Sequence, residues 1–209
     1  TEAGAAKALL VATEAKTAAL WDLDIRSSQT PLINPATGTG TDEIIVVAGG
    51  RGAPLDYTGT HSKIGQLIAE AVHGAVLEAL AKGNGKAQGR NVFIRLRERG
   101  LDPPGLLTGP EAGPGAGTGG LGEKLVEALL EPSLAALAES AMALDDALVM
   151  GHAGPSALKA FQDEALRSAG LVAGKPVARL RDAADPKLPP ALRAAVNAVA
   201  TGLLERSRP

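Results

Sequence analysis

The sequence predicts an α/β fold in its first half, a layered sheet with flanking helices, followed by an all-helical second half. Three observations predict it. Ile44-Ile45-Val46-Val47-Ala48 is a β-branched run closed by Gly49-Gly50, and its lack of alternation suits a strand buried on both faces. Ile64, Leu67, Ile68, Ala71, Val72, Ala75, Val76, Ala79 and Leu80 keep an i, i+3, i+4, i+7 stripe across 62–82, as an amphipathic helix does. Beyond residue 120 every periodic segment has the helical spacing.

The elements follow in chain order. Residues 2–21 are Ala-rich with no Gly or Pro after Gly4, which favours a helix on propensity alone. Thr13, Lys16, Thr17 and Leu20 share one face of it. Ser27-Ser28-Gln29-Thr30-Pro31 reads as a connector. The strand of 44–48 comes next, then the helix of 62–82, ended by Gly83-Asn84-Gly85. Residues 90–99 suit a short helix with a basic face from Arg90, Arg95, Arg97 and Arg99. Gly and Pro crowd 102–120, which can neither hold a helix nor supply side chains to bury. This predicts a first domain over 1–105, a linker over 106–120 and a helical region over 121–209.

In that last region Leu134, Leu137, Ala138, Ala141, Leu144 and Leu148 form one stripe. Leu158, Phe161, Ala165 and Ala169 form a second. Leu192, Val196, Val199 and Leu203 form a third, entered through Pro189-Pro190. One strand makes no sheet, and a lone buried strand leaves its backbone groups unpaired. Its expected partners are weaker strands, another copy of the chain in a homo-oligomer, or sequence ahead of Thr1, of which the last is favoured.

Composition narrows the function. The chain has 209 residues, 26 Gly, 14 Pro, 45% hydrophobic residues and only 2% aromatics, so its core must be aliphatic. A formal charge of -2 removes the overall basic footprint of a nucleic-acid binder. With no cysteine there are no disulfides, thiolate metal sites or cysteine nucleophiles. The apolar runs fall short of the roughly 20 residues of a spanning helix, and Glu2, Lys7, Glu14 and Lys16 do not suit a signal peptide. The expectation is a cytoplasmic protein that touches neither membrane nor nucleic acid. No two histidines have metal-ligand spacing, so neither metal nor cofactor is expected.

Two short segments carry the chemistry. In Pro35-Ala36-Thr37-Gly38-Thr39-Gly40-Thr41-Asp42, an extended chain projects Thr37, Thr39 and Thr41 on one side. Gly38 and Gly40 open the other side to close backbone approach. Three hydroxyls and a carboxylate suit an amide carbonyl or a phosphate; the alternative is an ordinary Gly/Thr turn with Asp42 solvated. The segment is no phosphate-binding Walker loop, since it precedes the strand and lacks Gly-Lys-Thr.

The second segment is Tyr57-Thr58-Gly59-Thr60-His61-Ser62, just ahead of the strongest helix. His61 is expected in that helix's first turn, where the dipole disfavours the imidazolium and favours a neutral general base. Thr60 or Ser62 is the expected cap. His73 reads as a solvated residue and His152 as a turn residue. Thr1 has the residue type of an N-terminal nucleophile whose own amine serves as base.

Three blocks then resemble one family. They are Ala12-Thr13-Glu14-Ala15-Lys16-Thr17-Ala18-Ala19-Leu20, Ala36-Thr37-Gly38-Thr39-Gly40-Thr41-Asp42, and Tyr57-Thr58-Gly59-Thr60-His61 with Gly65-Gln66-Leu67-Ile68. In this order and spacing they are similar to the adenosylcobinamide amidohydrolase family over about residues 1–100. The resemblance implies hydrolysis of an amide of adenosylcobinamide to adenosylcobyric acid and aminopropanol, in corrinoid salvage. It implies that Thr39 or Thr41 faces the scissile amide, with His61 as base and Asp42 orienting it. Tyr57, Thr37, Glu14 and Lys16 would line the substrate site. Three departures stand out: the family's sheet-forming N-terminal region is absent, Gln66 replaces a glutamate, and 106–209 has no counterpart. The competing expectation is a non-catalytic corrinoid-binding protein, or a helical interaction scaffold.

Overall fold

A computed structural model describes the chain except residues 33, 86–88, 109–119 and 208–209. Most of the expected Gly/Pro linker therefore lies outside the described residues. The chain divides into two compact units, Thr1–Arg90 and Asn91–Pro209.

The first unit is built on two long helices, α1 (Glu2–Asp22) and α2 (Lys63–Asn84), packed on each other. The Thr1 side chain accepts from the Gly4 N–H and so caps α1, which begins with Glu2 at its positive end. α1 buries Ala8, Val11, Ala12, Ala15 and Ala19, one face of small side chains at helical spacing. Ser62 caps α2 by accepting from Gly65 N–H, and Gly85 ends it in the left-handed conformation at φ 69.

Gly65 is where the entry to α2 meets the preceding loop. A Cβ there would stand 2.0 Å from the Gly59 carbonyl oxygen, so only glycine admits this approach. On the other side of the loop the buried Thr58 hydroxyl donates to Gly4 O at 2.6 Å. Within Lys63–Gly83 the most apolar 18 residues have a mean hydropathy of 1.3, so the helix is long and apolar enough to cross a membrane by length and composition alone.

Among the described residues the segment joining the helices contains no sheet. After α1 the chain turns through Asp24 (φ 48) and pairs briefly with itself, Ala36 N–H donating to Ile25 O and Ser27 N–H to Asn34 O. Arg90, expected on the basic face of a short helix, lies ahead of that helix and is buried, its guanidinium donating to the carbonyls of Leu23 and Asp24.

The α/β class expected from the sequence is thus corrected. Among the described residues the extended pairings outside helices are two isolated bridges, Arg26 with Pro35 and Leu107 with Ala184. Residues 44–48 form no strand; Ile45 and Val47 stand 83% and 84% exposed. A buried strand must pair its N–H and C=O groups with neighbours, and among the described residues this run has none, so its backbone stays hydrated. β-Branched composition alone did not supply the missing edge.

The second unit is helical. α3 (Val92–Glu98) is capped by Asn91, and a 3-10 turn follows at Pro103–Leu106. Then come α4 (Leu121–Ala128), α5 (Pro132–Val149), α6 (Pro155–Ala173) and α7 (Pro190–Arg206). α7 is the spine: every residue from Ala191 to Gly202 but Arg193 is buried. Leu192, Val196 and Val199 join Leu96, Leu106, Leu125 and Met142 in one core, with Leu134, Leu137 and Leu144 of the first expected stripe against it. Ala165 and Ala169 of the second stripe pack with Ala194 and Ala198.

Buried polar groups on these helices satisfy backbone. α7 starts with prolines and has no local side-chain cap; Asp145, on α5, accepts its Ala191 and Leu192 N–H groups at 2.8 Å each. Asn197 Oδ1 accepts from Ala183 and Ala184 N–H, and Thr201 Oγ1 from Arg181 N–H. Arg99, expected on a basic face, is buried and donates to Asp146 at 2.9 Å.

Candidate functional site

The first unit brings the Thr/Gly segment onto α1. Residues 39–42 form a turn, Asp42 N–H donating to Thr39 O at 3.3 Å, so the two-residue extended period expected for the three threonines ends at Thr39. Lys16 and Thr17, neighbours on α1, hold the segment at two points. Lys16 Nζ meets Asp42 Oδ2 at 2.5 Å, and Thr17 Oγ1 donates to the Thr37 carbonyl at 3.1 Å.

Within the turn the Asp42 carboxylate is saturated on one side and directional on the other. Oδ2 accepts the Lys16 ammonium and the Thr39 N–H at 2.8 Å, while Oδ1 accepts the Thr39 hydroxyl at 2.9 Å. The Thr39 and Thr41 hydroxyl oxygens lie 3.1 Å apart. Gly38 makes room for this, since a Cβ there would sit 2.4 Å from Asp42 Oδ2 and 2.6 Å from Lys16 Nζ.

The Lys16 hydrogen bond, followed by those from the Thr39 N–H and hydroxyl, lowers Asp42 from 3.8 to about 2. At neutral pH the group is a fixed anion. It is a poor proton acceptor, because a general base works best with a pKa near the working pH. Its chemical competence is to orient a hydroxyl.

The remaining expected residues are placed as follows. His61 sits one residue ahead of the Ser62 cap, outside the first turn where it was expected. It is exposed and makes no hydrogen bond or ion pair among the described residues. Tyr57 is 55% exposed, its phenol lying over Gly59. Glu14 is exposed on α1 without a polar partner among the described residues. Lys16, expected to line the substrate site, spends its charge on Asp42. Gln66 belongs to a surface ladder on α2, bonded to Lys63 and Glu70.

The amine and hydroxyl of Thr1 both donate to the Leu55 carbonyl. They line a groove of about 520 Å3 between the first turns of α1 and the 46–55 segment. Neither Thr39, Asp42 nor His61 lines that groove.

One pair escaped the sequence reading. His73, read there as solvated, meets Asp22 Oδ2 through Nε2 at 2.7 Å, tying the end of α1 to the middle of α2. They stand 51 positions apart in the sequence, so no local pattern links the two. No group of three or more His, Asp or Glu among the described residues is arranged to hold a metal.

The first unit thus presents an ammonium–carboxylate–hydroxyl cluster where the Thr/Gly segment meets α1. Residues 1–88 match the sequence model of the adenosylcobinamide amidohydrolase family, so the resemblance holds over this segment. An uncharacterized protein of Methanocaldococcus jannaschii is 51% identical over 82 residues, which are 39% of this chain and 31% of that protein. The chain therefore spans about a third of the length of the curated relative it matches. No solved structure matches the chain.

Proposed function

We propose that the Thr1–Arg90 unit carries the substrate site of an amidohydrolase acting on adenosylcobinamide. Water is added across the amide C–N bond, giving adenosylcobyric acid and aminopropanol. The observation that carries this reading is the family match over 1–88 falling on the segment that holds the Lys16–Asp42–Thr39 cluster. Asp42 orients a threonine hydroxyl, and proton transfer falls to His61, since Asp42 is too acidic to accept a proton near neutrality. The corrinoid is the partner, and no cofactor is required.

A second reading is a corrinoid-binding protein without turnover. Its support is His61, exposed and without a polar partner among the described residues, and the position of the cluster outside the groove. An absorbance titration of the full chain with adenosylcobinamide, run beside a mass-spectrometric assay for aminopropanol, separates the two. Binding with release supports the amidohydrolase, and binding without release supports the second reading. Neither binding nor release contradicts both.

A further inference from the structure

The direction of the hydrogen bonds around Asp42 distinguishes Thr39 from Thr41, which the sequence leaves equivalent. A hydroxyl has one proton and two lone pairs. The Thr39 proton is committed to Asp42 Oδ1, because a carboxylate only accepts. In the 3.1 Å contact between the two hydroxyls Thr41 must then be the donor. The Thr41 N–H reaches the same Thr39 oxygen at 3.4 Å, which fills its second lone pair. Thr39 is thus fully used, whereas Thr41, an exposed residue, has given its hydroxyl proton to Thr39 and keeps both lone pairs of that oxygen.

We propose that the chain runs one way, Thr41 to Thr39 to Asp42, with Lys16 anchoring its far end, and that the Thr41 oxygen accepts a hydrogen bond from an amide N–H of the substrate. Thr39 and Lys16 are positioning residues in this arrangement, and Thr41 is the residue that meets the ligand. A hydroxyl free to turn could either donate to a carbonyl or accept from an N–H. One whose proton is held inward can only accept, so the site selects a donor, the N–H that distinguishes an amide from an ester. Lys16 is the charged group that reaches Asp42 from the helix packed against it, and Glu43 is the next residue along the same segment.

The part of this inference that concerns adenosylcobinamide rests on the proposed function; the direction of the chain does not. Two measurements on the full chain keep them apart. The first follows the Asp42 carboxyl carbon by NMR through acid titration. Thr39→Val is expected to raise its midpoint and Thr41→Val to move it less, since Thr41 acts through Thr39. An unmoved midpoint in Thr39→Val, or a larger shift in Thr41→Val, overturns the chain.

The second measurement is the affinity for adenosylcobinamide by absorbance titration. Thr41→Val is expected to weaken it by about 10-fold, the size of one lost hydrogen bond, with Thr41→Ser restoring it. Unchanged affinity in Thr41→Val overturns the role of Thr41 as acceptor. A wild-type chain that binds no corrinoid overturns that role and contradicts the proposed function, while the titration still decides the chain.

Discussion

Lys16 Nζ and Asp42 Oδ2 meet at 2.5 Å across 26 residues of sequence, joining the middle of α1 to the turn that carries Thr39 and Thr41. The pair is partly exposed, at 19% and 31% of the two side chains, so it adds little to stability in salt. Its effect is local: it keeps Asp42 ionised and fixes which carboxylate oxygen is left for the Thr39 hydroxyl.

Acid unfolding of the first unit should register this pair. The folded-state pKa of Asp42 is lowered from 3.8 to about 2, so its contribution is fully present above 3.8 and is lost as pH falls through 2. Lys16→Met deletes the largest of the three hydrogen bonds that lower Asp42, moves it toward its ordinary value and reduces that pH-dependent loss. The protein's one tryptophan, Trp21, lies on α1 and reports this unit. Urea midpoints by Trp21 fluorescence should fall less between pH 5 and pH 2 in Lys16→Met than in wild type; parallel falls would contradict the assignment.

Gly65→Ala should weaken the same unit by about 1–3 kcal/mol, the usual cost of forcing atoms into filled space. Backbone meets backbone here, because the Cβ would press on the Gly59 carbonyl, and no flexible side chain can move aside. The Trp21 unfolding midpoint is the readout. A midpoint equal to wild type would mean that the loop before α2 yields freely.

Asp145 governs the second unit. Asp145→Leu leaves two buried N–H groups of α7 without an acceptor and should cost about 2–4 kcal/mol, read by loss of helical circular dichroism in denaturant. Burial raises the Asp145 pKa above 3.8 despite the two N–H bonds. The associated stability is therefore fully present below 3.8 and is lost as pH rises through the folded-state value. Asp145→Asn, which cannot ionise, should consequently cost less at pH 7 than at pH 3. A cost that grows with pH would contradict this sign.

His61→Ala should abolish turnover of adenosylcobinamide while leaving corrinoid affinity nearly intact, because the residue is exposed and holds no other element in place. Steady-state rates beside the absorbance titration check this. Unchanged turnover would remove His61 from the chemistry.

The long helices were legible because each advertises itself locally, whereas the short α4 was not singled out. The stripe from Ile64 to Leu80 and the run from Leu192 to Leu203 repeat at helical spacing, and Gly85 and Ser62 punctuate α2 as their chemistry requires. The strand was misread because β-branched composition describes only one side of a pairing. Ile45 and Val47 have the side chains of a buried strand but no partner backbone among the described residues. Arg90 and Arg99 were misread for a related reason: a guanidinium is buried when carbonyls or a carboxylate converge on it, and those of Leu23, Asp24 and Asp146 lie far away in sequence. In the site, the residue types at 37–42 were legible as hydroxyls beside a carboxylate. Their connection to Lys16, and the His73–Asp22 pair, depend on how α1 lies against the rest of its unit.

The most direct test of the central claim is aminopropanol release from adenosylcobinamide by the full chain, wild type beside Asp42→Asn, read by mass spectrometry. An amide-hydrolysing site organised by Asp42 predicts release above the blank by wild type, reduced at least 10-fold in the variant, about the effect of one lost charge-assisted hydrogen bond. Release that is equal in the two proteins, or absent from wild type, would contradict it.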